Sequence, residues 1–113
     1  MRNYANHGSA IVCNVTALSP QQRQRRAALA GQLKQALQAI QELPDGYAIR
    51  LHRDDSTWMT AAEFVTLECR CCPFLAFSLE VECEGGPIWL RLVGREGVKE
   101  FLRSEFGLGK LAR

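Results

Sequence analysis

The stretch Glu68-Cys-Arg-Cys-Cys-Pro-Phe74 places three of the chain's five cysteines within four positions and ends in a proline and an aromatic ring. A thiolate is a nucleophile, a redox centre and a preferred ligand of soft metals, so thiols this close together are candidates for chemistry. Free cysteine also packs as a small hydrophobe and is among the most buried residue types, which makes inert core filler the competing reading. Placement on the secondary structure has to decide between them.

The spacing predicts a helix from about residue 56 that ends at Cys71 or Cys72, because Asp54, Asp55 and Ser56 offer caps and the residue before Pro73 is steered out of the helical region. At about 100° per residue, Trp58, Ala62, Val65, Cys69 and Cys72 fall on one apolar arc. Glu63, Thr66 and Arg70 fall opposite, and Cys71 comes out beside Phe64 at the margin. Glu68 lands inside the apolar arc. A carboxylate there is costly unless it is paired or put to use, so Glu68 is either half of an ion pair with Arg50, Arg70 or Arg91, or the candidate catalytic group.

Cys69 and Cys72 form a C-x-x-C pair on one helix face, where both sulfurs reach one ion. The sulfurs of adjacent Cys71 and Cys72 diverge unless the backbone adjusts, which calls for a third ligand from elsewhere. Cys13 is the first choice and Cys83 the second. Structural zinc wants four ligands in two separated pairs, and only one pair is evident; His7 and His52 are isolated. Two or three thiolates suit Hg(II), Cu(I) or As(III) better than zinc. A thioredoxin-type site needs its cysteines at a helix N-terminus, whereas these sit at a C-terminus, where the dipole opposes thiolate. No Ser-His-Asp signature, phosphate loop or H-E-x-x-H motif is present. Two further chemistries use the same residues. Cys71 and Cys72 form a reducible vicinal disulfide in a redox switch, or thiolates hold mercury while Glu68 protonates a carbon–mercury bond.

The elements that position these groups follow from the pattern around them. Ile11, Cys13 and Val15 alternate as a first strand with Cys13 facing the core. Ser19-Pro20-Gln21-Gln22 starts a helix that the spacing of Leu29, Leu33, Ala36, Leu37 and Ile40 carries to about Leu43. Pro44-Asp45-Gly46 turns the chain into a strand over Tyr47–Leu51. Phe77–Cys83 and Ile88–Val93 form a hairpin around Glu84-Gly85-Gly86, and a helix carries Val98, Phe101 and Leu102. The expected fold is α+β: a βαβαββα two-layer sandwich, its four-stranded sheet mainly antiparallel and its helices mainly on one face.

With 113 residues the chain has the length of one domain, expected over 10–106 between a flexible leader (1–9) and a basic tail (107–113). No apolar run suits a membrane span or a secretory signal, and an odd, clustered cysteine count fits a reducing compartment, so a cytoplasmic protein is expected. A net charge of +2 is too small to point to nucleic acid. Arg23, Arg25 and Arg26 read as the solvated face of the first helix. The expected partner is the metal ion, with a homodimer left open.

Ile11-Val-Cys-Asn-Val-Thr-Ala-Leu18, Leu43-Pro-Asp-Gly-Tyr-Ala48, Glu68-Cys-Arg-Cys-Cys-Pro-Phe74 and Phe77-Ser-Leu-Glu-Val-Glu82 resemble segments of small bacterial cysteine-rich proteins. Similar segments are appended to some regulators of the mercury-responsive helix-turn-helix class and occur near metal-resistance genes. The resemblance spans most of residues 10–103, and its most specific element is the vicinal cysteine pair followed by Pro-Phe. It implicates Cys13, Glu68, Cys71 and Cys72, and leaves Cys69 and Cys83 as features of this chain alone. The DNA-binding domain of those regulators is not in this sequence.

Overall fold

Ser19 caps the first helix. The Gln22 amide donates to Ser19 Oγ (3.1 Å), the Ser19 amide donates to Gln22 Oε1 (2.9 Å), and Pro20 takes the first helical position, where its missing N–H costs nothing. In a computed structural model, which describes residues 10–111, this helix (α1) spans Pro20–Ala36. The rest of the chain gives β1 (Leu37–Leu43), β2 (Gly46–Leu51), α2 (Asp55–Cys71), β3 (Ala76–Val81), β4 (Ile88–Val93), α3 (Val98–Phe106) and a last turn, α4 (Leu108–Leu111).

The strands form one antiparallel sheet in the order β1-β2-β4-β3. Cross-strand partners share a face, so Ile40, Ile49, Leu90 and Leu79 line up on one side, as do Tyr47, Leu92 and Phe77. On this face α1 contributes Leu29 and Leu33, α2 Ala61, Phe64 and Leu67, and α3 Val98, Phe101 and Leu102 to a common core. Trp89, Arg91 and Glu80 alternate onto the other face. Gly46 has no room for a side chain: a Cβ there would sit 2.0 Å from the backbone oxygen of Leu92 in the neighbouring strand.

The class, the two layers and the four-stranded antiparallel sheet match the expectation, but the element order does not. No strand forms over Ile11–Val15; residues 10–14 are irregular and Val15–Ala17 is a single 3-10 turn. The fourth strand is β1, from residues whose spacing imitates a continuing helix. A register shift between Leu37 and Ala39 explains the imitation. It brings Leu37 and Ile40, three positions apart, to the same face of the sheet, and a three-residue interval is also the helical one. The hairpin and the last helix lie where expected, β3 stopping at Val81 so that Cys83 falls in the turn.

Leu108 is buried, so packing extends past residue 106. The leader 1–9, with His7, and residues 112–113 lie outside the described residues. No described helix is long and apolar enough to cross a membrane.

Candidate metal centre

Asp54 sets the start of α2, its Oδ1 accepting the Thr57 amide at 2.7 Å. From that start the buried positions are Thr57, Ala61, Phe64, Leu67, Glu68 and Cys71. The stripe is rotated from the expected arc, because apolar residues occur on two adjacent arcs and packing against α1 selects the one through Phe64. Trp58 and Val65 keep only a flanking place against the core. The rotation carries Cys71 from the margin to full burial and turns Cys69 out to solvent. Cys69 therefore does not pair with Cys72 across a helix face, and it lies outside the thiol group described below.

The helix ends at the residue before Pro73. Cys72 leaves the helical region (φ −130°, ψ 66°), while its amide still donates to the Glu68 carbonyl at 2.7 Å. This backbone change swings the Cys72 side chain beside that of Cys71. The two sulfurs lie 3.9 Å apart, both buried.

Cys13 reaches the same place without a strand. The Asn14 amide donates to the Cys71 carbonyl (2.8 Å), satisfying one of the carbonyls that the end of α2 leaves open, and Leu18 is buried a few residues on. Residues 10–18 thus form a strap across the C-terminal end of α2. The Sγ atoms of Cys13, Cys71 and Cys72 all lie within 4.8 Å of one another. Cys13 is half-buried and forms the solvent side of the group, whereas Cys83 is exposed in the β3–β4 turn.

Glu68 is fully buried one helical turn before Cys72, as its place in the apolar arc implied. Its partner is none of Arg50, Arg70 or Arg91. Arg26 of α1 donates from Nε to Glu68 Oε1 at 2.5 Å, and Oε2 accepts from the Cys71 thiol at 3.7 Å. Arg26 is the residue of this group that the solvated-face reading of the first helix missed. Its signal was positional: Arg26, Leu29 and Leu33 recur at three and four residues, so Arg26 shares the buried stripe of α1, while Arg25 pairs at the surface with Glu63.

These neighbours fix the electrostatics. Burial opposes the charge on Arg26, but the hydrogen bond and negative charge of Glu68 prevail and raise its pKa. Burial, followed by the charge of Glu68, pushes the Cys71 thiol up to about 11, with Arg26 offsetting part of the rise. The same two causes raise Cys72, and Cys69 rises for the same reasons. These shifts favour the protonated thiol over the thiolate at Cys71 and Cys72 at neutral pH. No protein-family model, curated protein or solved structure matches the chain.

Proposed function

We propose that the protein binds one soft, thiophilic metal ion in the cytosol through Cys13, Cys71 and Cys72, with Glu68 beside the Cys71 thiol as a proton-handling group. The observation that carries this reading is the convergence of three free thiols within 4.8 Å from two segments far apart in the chain. Inert packing needs no third sulfur brought in on a separate strap. With sulfur-to-metal distances near ~2.3 Å, three ligands around one ion stand ~4 Å apart, so the group closes on an ion with small side-chain adjustments. Among the described residues the group has no fourth sulfur or imidazole, which favours Hg(II), Cu(I) or As(III) over structural zinc. The similarity to segments of mercury-responsive regulators is consistent with a role in metal resistance, as a carrier or buffer of the ion.

Native mass spectrometry of the reduced protein with Hg(II) as probe tests the reading. One ion per chain is expected. Cys71→Ser and Cys72→Ser should each weaken binding by at least about tenfold, ~1.4 kcal/mol, with Cys69→Ser and Cys83→Ser unchanged. Equal losses in all four variants would mean that mercury binds any thiol, and the proposal would fail.

A further inference from the structure

The charge inside the site separates the soft metals from one another. Among Cys71, Cys72 and Glu68, all fully buried, the negative carboxylate is already matched by the guanidinium of Arg26 at 2.5 Å. Any charge left by the bound ion and its sulfurs is therefore in excess of that ion pair, and excess charge is what a buried site tolerates least. Three thiolates around Hg(II) leave one negative charge, and three around Cu(I) leave two. Three around a trivalent centre leave none. Hg(II) reaches neutrality with two thiolates and has no use for the third.

We infer that the ligand matched to this site is a trivalent metalloid of the arsenite class, taken up as its neutral hydroxide and held by Cys13, Cys71 and Cys72 together. The inference rests on the soft-metal reading above and narrows it. Binding is a condensation: three arsenic–sulfur bonds form, three arsenic–oxygen bonds break, and each thiol proton leaves on a hydroxide as water. No oxidation state changes and no net charge enters or leaves. Glu68 Oε2, 3.7 Å from the Cys71 sulfur, stands where it can take that thiol's proton and return it to the departing oxygen. The half-buried Cys13 is the sulfur an incoming hydroxide meets first, with the buried pair behind it.

The test compares sodium arsenite with Hg(II) on the reduced full-length chain, by native mass spectrometry and by the ultraviolet absorbance of arsenic–sulfur bonds. Wild-type protein should take up one arsenic with the loss of three hydrogens. Cys13→Ser should weaken arsenite binding about a hundredfold or more while keeping Hg(II) within a few fold, and its retained mercury binding reports an intact buried pair. Cys13→Ala supplies the same comparison if serine disturbs the strap. Arsenic bound with loss of only two hydrogens, equal arsenite affinity in wild type and both Cys13 variants, or mercury binding without arsenite binding would each overturn this inference and leave the soft-metal reading standing. Failure of both probes would overturn the two together.

Discussion

The Cys71 thiol carries the pH signature of the site, because the fold raises it from an ordinary 9.0 to about 11 through burial first and the charge of Glu68 second. A raised thiol pKa means that folding favours the protonated form. The resulting stability is complete below the unfolded value and is lost as pH rises through the folded one, a window from 9.0 to about 11. Reduced, metal-free protein should lose stability to urea across that window more steeply than a Cys71→Ala variant does. Glu68→Gln should move the onset of thiolate absorbance to lower pH, since it removes the negative charge beside both buried sulfurs and leaves Arg26 in place. An unshifted onset would mean that the carboxylate does not act on the thiols. At this scale the sequence named Cys13, Glu68, Cys71 and Cys72, which the fold brings together, but not by spacing alone: Cys71 entered through the resemblance, Cys13 through a strand that does not form, and the Cys69–Cys72 pair that helix spacing favoured is split, with Cys69 exposed. Arg26 was not named, because a cation in a run of cations reads as surface until the helix stripe is followed through Leu29 and Leu33.

α1 and α2 meet through two charged contacts of different worth. Arg25 and Glu63 join by two hydrogen bonds of 2.8 and 2.7 Å at the exposed rim, where such pairs contribute little. Arg26 reaches the fully buried Glu68. Arg26→Met would leave that carboxylate without its counter-charge, and urea unfolding should show a loss of about 3 kcal/mol, the low end for breaking a buried pair because the Arg26 side chain keeps 24% of its exposure. Arg25→Met should cost under about 1 kcal/mol. Similar small losses in both would show that Glu68 has another source of compensation. The elements themselves were legible where capping and turn residues mark them: Ser19-Pro20, Asp54, Cys72-Pro73 and Pro44-Asp45-Gly46 all fall at observed boundaries. They were not legible where the sequence carries two compatible periods. Leu37 and Ile40 satisfy helix and bulged strand alike, and α2 has two adjacent apolar arcs, so partners that only tertiary packing supplies decided both.

Across the whole molecule the site is a clasp between the strap of residues 10–18 and the end of α2. Among the described contacts the clasp is held by the Asn14 amide on the Cys71 carbonyl, by Arg23 of α1 donating to the Val15 carbonyl at 3.4 Å, and by Leu18, Ile11 and Cys13 against the core. The expected strand would have tied Cys13 into the sheet. A strap outside the sheet should open at lower free energy than the core, and such an opening would give a soft ion a route to Cys71 and Cys72 without global unfolding. An ion bound to all three sulfurs joins residue 13 to residues 71 and 72, so it should raise the free energy of strap opening as well as that of unfolding. Ligand at a hundred times its dissociation constant should stabilise the protein by about 2.7 kcal/mol. Hydrogen exchange locates that gain: the amides of Asn14, Ala17 and Leu18, each hydrogen-bonded across or within the strap, should exchange more slowly once arsenite is bound. In Cys13→Ser, Hg(II) on Cys71 and Cys72 should stabilise α2 while leaving strap exchange at its metal-free rate. Equal slowing of the strap in that variant would show that Cys13 is not the sulfur through which the ion holds it.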